Sequence, residues 1–170
     1  MKSKRFQYDY RESASKLHKK IGDTIRNKDS IFYPYKIYQE YPVSKINNSY
    51  KNNKHKFDWV ILDLYLIIEG MGQQHIKPTC FGGISKEQAE ENFIDQKYRD
   101  TVKMNAAIEA GFTYLSIPYS DLDKINDNYI LDLYNKHKNN NIIKETVDTK
   151  KEQFKQRRKE YYQELKKKEV

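Results

Sequence analysis

Apolar positions fall into short blocks whose period changes along the chain. Ala14, Leu17, Ile21 and Ile25 recur at three- and four-residue steps, with Lys and Arg on the remaining positions. That stripe predicts an amphipathic helix over residues 11–28. "IFYPYKIYQEYPVSKI" is rich in aromatic and β-branched residues and alternates, which predicts a strand over Tyr35 to Val43. "NNSYKNNKHK" is a polar turn or loop. Two strands follow, Phe57 to Ile61 and Tyr65 to Glu69, bent at Leu62 to Leu64. Ser85 suits a helix N-cap, with Gln88 three residues later as in a capping box. The long helix it opens runs to Ala110, with Phe93, Met104 and Ile108 filling the core, and Gly111 suits the left-handed position after its end. "FTYLSIPY" predicts a strand, and "SDLDKINDNYILDLYNKHK" a helix with Leu122, Ile125, Tyr129 and Leu133 facing inward. The sequence of elements is helix, three strands, helix, strand, helix. It predicts an α/β fold, a mixed sheet of about four strands flanked by helices. The fold occupies residues 1–140, and a charged helical tail follows over 141–170.

The segment "KFDWVILDLYLIIEGMGQQH" adds chemistry to this frame. If its two strands form a hairpin bent at Asp63, then Asp58, five residues before, and Glu69, six residues after, arrive together at the open end. Two such carboxylates offer hard oxygen ligands to Mg²⁺, which keeps several waters and binds substrate phosphate. Spacing alone also admits two exposed strand-end carboxylates with no shared ligand. The polar end "EGMGQQH" weighs toward a site, because Gly70 and Gly72 permit close backbone approach and a polar turn directly after a buried strand needs a use. His75 reads as a general base, a metal ligand, a phosphate contact or a hydrogen-bonded surface residue.

Composition bears on the partner. The chain of 170 residues carries a formal charge of +8, with 15 Tyr and 7 Phe, which together favour an anionic partner with bases to stack on, a nucleic acid first. An abundance of Asn, Lys, Ile and Tyr also fits an AT-rich genome and explains part of the lysine count. The single cysteine, Cys80, excludes an intramolecular disulfide, reads as a small buried or loop residue and not a nucleophile, and fits a reducing cytoplasm. The apolar run Trp59 to Ile68 is too short to span a bilayer, and the N-terminus has no apolar signal region, so no membrane partner is expected.

"FDWVILDLYLIIEGMGQQHIKPTCFGG" resembles the PD-(D/E)XK nuclease superfamily, and within it the very-short-patch-repair-like endonucleases of phages and mobile elements. The similarity covers about Tyr35 to Asp121. It is carried by Asp58, by Ile68-Glu69, by Gln74-His75, by Phe81-Gly82, by Gln96-Lys97, Arg99-Asp100 and Lys103, and by "YLSIPY". The resemblance implies a restriction-endonuclease-like fold and an Mg²⁺-dependent DNA endonuclease, with Mn²⁺ as an alternative cofactor. Its substrate would be duplex or branched DNA, and a homodimer is compatible with it. Asp58 and Glu69 would be the metal ligands, with Gln74, His75 and Lys103 completing the catalytic set. Glu40, Gln96, Lys97 and Asp100 would support it. One position departs from the pattern: two residues after the second acid the superfamily has Lys, and its relatives on this branch have Asp or His, whereas this chain has Met71. Met neither donates a proton nor polarises water, so a catalytically silent DNA-binding module on the same fold, or a protein-binding factor, stands beside the nuclease.

The tail "KKEQFKQRRKEYYQELKKKE" holds nine Lys or Arg and four Glu. Several Glu lie three or four residues from a basic partner, as in a solvated helix. Lys150, Lys151, Lys155, Arg157, Arg158 and Lys159 are the candidates for phosphate contacts.

Overall fold

The computed structural model describes residues 9–138 and, in the tail, Gln156, Lys159, Glu160, Gln163, Glu164 and Lys167, which are helical and exposed. Its elements are α1 (Lys16–Arg26), β1 (Ile37–Pro42), α2 (Val43–Ile46), β2 (Lys56–Ile61), β3 (Leu66–Met71), α3 (Lys86–Glu109), β4 (Thr113–Pro118) and α4 (Asp127–His137). The strands form one open four-stranded sheet in sequence order, antiparallel from β1 to β3 and parallel between β3 and β4. The parallel pair requires a crossover, and the segment containing α3 provides it. Among the described residues no helix is long and apolar enough to cross a membrane.

The described residues divide into two compact units. One takes the chain up to Gly72 and again from Ala106 to Lys138; the other takes Gln73–Asn105 and the described tail positions. The first holds the sheet and both cores. On one face Ile37, Trp59, Ile61, Leu66, Ile68, Leu115 and Ile117 pack with Leu17, Ile21 and Ile25 of α1 and Ile130 of α4. On the other, Phe57, Val60 and Ile67 pack with Val43 of α2 and with Ala106 and Ala107 at the end of α3. β3 is therefore covered on both faces and paired at both edges, which is why Leu66-Ile67-Ile68 reads as a continuous apolar run instead of alternating.

Several sequence expectations shift. The first helix starts at Lys16 and not at residue 11, because the Ser15 hydroxyl accepts a hydrogen bond from the His18 N–H (3.1 Å) and closes the helix there. Ser85 caps α3 through the Gln88 N–H (3.1 Å), but the Gln88 side chain turns to Asn92 (3.0 Å), leaving half a capping box. Phe93, Met104 and Ile108 are only half-buried, while Ala89, Ala106 and Ala107 are buried on α3, small residues that let the helix come close. The last predicted helix splits into a 3₁₀ stretch, Tyr119–Lys124, and α4, because the Asn126 side chain caps α4 through the Tyr129 N–H (2.9 Å). Gly111, at φ 85°, takes the left-handed position expected of it.

Candidate active site

The register of β2 with β3 pairs Trp59 with Ile68, Val60 with Ile67 and Ile61 with Leu66. The next rung outward belongs to Asp58 and Glu69. The Asp58 carboxylate leans across: its Oδ2 accepts a hydrogen bond from the Gly70 N–H at 2.9 Å, on the peptide that follows Glu69. Glu69 itself is only 6% exposed.

The local backbone explains how Asp58 comes to point where it does. Glu40, opposite Asp58 on β1, has φ 51°, a left-handed conformation uncommon outside glycine. It breaks the alternation, so that Tyr38 and Tyr41, three residues apart, pack on the same face. Across the ladder Phe57 and Val60 likewise share one face, while Trp59 and Ile61 occupy the other. The change of face falls at Asp58. The sequence predicts a regular strand here, with Glu40 as a supporting acid. Glu40 pairs with Arg11, Nη2 to Oε2 at 2.7 Å.

A residue missed in the sequence stands beside Asp58. His18 of α1 is 9% exposed, and its Nδ1 lies 3.5 Å from Asp58 Oδ1. Its Nε2 lies 2.9 Å from the Gln39 side-chain nitrogen. Its ring stacks on Trp59 with centroids 4.8 Å apart and meets the edge of Tyr10 at 6.1 Å. In "KLHKK" this histidine looks like part of the basic face. The available signal was its phase: His18, Ile21, Gly22 and Ile25 share one side of the helix, three and four residues apart.

The glycines also have different causes from those expected. A Cβ on Gly70 would lie 3.1 Å from Leu17 Cγ, and one on Gly22 would lie 2.3 Å from Trp59 Cζ2. Gly70 therefore admits α1 against β3. Met71 continues β3, opposite Pro118 of β4, and is half-buried.

The other candidates belong to the second unit. His75 Nδ1 lies 2.7 Å from Asp100 Oδ2, and the Gln96 side-chain nitrogen lies 3.1 Å from His75 Nε2. The Gln96 nitrogen also lies 3.2 Å from Nδ1, so Asp100 and Gln96 hold the ring between them. Gln96 and Asp100 share a face of α3, as their four-residue spacing requires. Gln74 is exposed and, with Phe81, Asn92, Phe93 and Gln96, lines a pocket of about 360 Å³. Lys97 lies 5.5 Å over the Phe93 ring, and Lys103 is half-buried. Cys80 is exposed, on the loop. Of the tail candidates Lys159 is helical and exposed, and Lys150, Lys151, Lys155, Arg157 and Arg158 lie outside the described residues.

The chain matches no family model, no curated protein and no solved structure. The chemistry must therefore be read from the residues. Among the described residues no group of three or more His, Cys, Asp and Glu side chains gathers as a metal cluster. Carboxylates, with waters and a phosphate in the remaining positions, are the ligands Mg²⁺ uses. The donors present fit Mg²⁺ in that sense and do not fit a soft or thiolate-seeking metal.

Proposed function

We propose that this protein is an Mg²⁺-dependent nuclease acting on DNA, with Asp58 and Glu69 as the metal-binding carboxylates. One observation carries the reading: the Asp58 carboxylate, where β2 changes face, is held by the N–H of the residue after Glu69. A buried acid such as Glu69 is a common mark of a functional site. The αβββαβ order of the elements and the resemblance of residues 35–121 to the PD-(D/E)XK nucleases point the same way. So does the net charge of +8, which favours a polyanion.

Bound Mg²⁺ would supply charge neutralisation at the scissile phosphate and a water acidified for in-line attack. The chain's own contribution is to hold oxygens. The Gly70 N–H holds Oδ2 of Asp58, and His18 Nδ1 faces Oδ1 at 3.5 Å. Burial of Glu69 restricts its rotamers and keeps bulk water from its carboxylate. Met71, where a Lys would polarise the nucleophile, contributes neither proton nor charge, so the rate should be modest and dependent on the metal.

That same Met71 favours one second reading, a DNA-binding module without cleavage. Labelled duplex, branched and mismatched oligonucleotides, incubated with Mg²⁺ or with EDTA, separate the two. Cleavage in Mg²⁺ that EDTA abolishes supports the nuclease. Salt-sensitive binding with intact DNA in both supports the module.

A further inference from the structure

We infer that His18, set by Gln39, is a positioning residue that aims the Asp58 carboxylate, an assignment that rests on the metal site proposed above. Gln39 presents its side-chain nitrogen, a donor only, to His18 Nε2 at 2.9 Å. With Nε2 accepting from that amide, the ring proton sits on Nδ1. Nδ1 faces Asp58 Oδ1 at 3.5 Å, while the Gly70 N–H holds Oδ2 at 2.9 Å. The carboxylate is thus approached by one donor on each oxygen, from α1 and from β3. Trp59 fixes the plane of the imidazole by stacking at 4.8 Å, and Tyr10 closes its edge. Gly22, one turn after His18, allows α1 to lie this close to Trp59. A histidine that only filled the core would need none of this: an apolar residue of similar size would pack on Trp59 without a buried amide at its back. Partners that orient a metal-binding side chain in this way typically change metal affinity by about 10–100-fold when removed.

Trp59 is the only tryptophan in the chain and adjoins Asp58, so it can report metal binding directly. Tb³⁺, a hard oxygen-seeking ion, is titrated into the full chain with excitation at the red edge of the indole band, and Mn²⁺ is then used to displace it. The wild type should show sensitised emission, and Asp58→Asn should lose it. His18→Phe keeps a ring on Trp59 but removes the Nδ1 proton, and should weaken binding about tenfold. His18→Asn restores a donor near the Nδ1 position and should recover most of the loss. Gln39→Leu, which leaves α1 untouched, should weaken binding in the same direction by a smaller factor; it decides the matter if His18→Phe does not fold. Wild-type affinity in folded His18→Phe, or in Gln39→Leu if His18→Phe fails to fold, overturns the inference while leaving the metal site standing. No emission from the wild type, or equal emission from Asp58→Asn, overturns the metal site and the inference with it.

Discussion

Gly22→Ala is the most demanding test of how α1 meets the sheet. The added Cβ would lie 2.3 Å from Trp59 Cζ2, 2.6 Å from Cη2 and 2.6 Å from the Tyr10 hydroxyl. Ordinary carbon contacts lie at about 3.5–4.0 Å, so the indole or the helix must move by about 1 Å. Trp59 is fully buried and stacked on His18, which leaves it little room. Overpacking of this kind costs about 1–3 kcal/mol, and here the upper end applies. Against it stands the helix preference of Ala over Gly, about 1 kcal/mol. The net loss is about 2 kcal/mol, or about 4–8 °C in Tm for a chain of this size. Thermal unfolding followed by far-UV circular dichroism and by Trp59 emission measures it. Cleavage or metal binding should fall as well, since His18 and Trp59 would be displaced from Asp58. An unchanged or raised Tm would mean that α1 does not approach β2 this closely, and the contact between His18 and Asp58 would fall with it.

Further outcomes follow from other features. Asp58→Asn keeps an acceptor for the Gly70 N–H, so the variant should fold and bind DNA while losing Mg²⁺-dependent cleavage; parallel loss of folding and cleavage would assign Asp58 a structural role. Burial and the hydrogen bond to Asp23 push the Tyr10 hydroxyl up to about 12. Folded Tyr10 thus stays protonated where the unfolded chain ionises, so its contribution is whole below pH 10 and is lost as pH rises from about 10 to about 12. Discounted for its exposure, this amounts to about 1 kcal/mol, seen as a gap in urea midpoint between wild type and Tyr10→Phe that closes over that range; a gap constant with pH would refute it. Removing residues 150–170 deletes nine positive and four negative side chains. If three of the basic residues touch phosphate, the slope of log affinity against log salt should flatten by roughly 3. An unchanged slope would make the tail a solvated appendage.

Local physics made much of the fold legible. Alternation and β-branching marked the strands, Leu62–Leu64 is the bend it was taken for, and Ser85 and Gly111 bracket α3 through their own backbone chemistry. β2 and β3 pair antiparallel, as the hairpin count supposes, from Trp59 with Ile68 to Ile61 with Leu66. What escaped is tertiary. No pattern in β1 foretells that Glu40 turns left-handed. Gly22 and Gly70 are small because another element lies against them, which periodicity within one segment does not reveal. His18 was hidden by its lysine neighbours, since a basic face and a buried imidazole on its border look alike in "KLHKK".

The most direct test of the central claim is nicking of supercoiled plasmid by the purified full chain, wild type beside Asp58→Asn and Glu69→Gln, across a titration of Mg²⁺. Cleavage that rises with Mg²⁺ in the wild type, disappears with EDTA and is absent from both folded variants is the predicted result. Intact plasmid at every Mg²⁺ and Mn²⁺ concentration, or equal nicking by wild type and both variants, would contradict it.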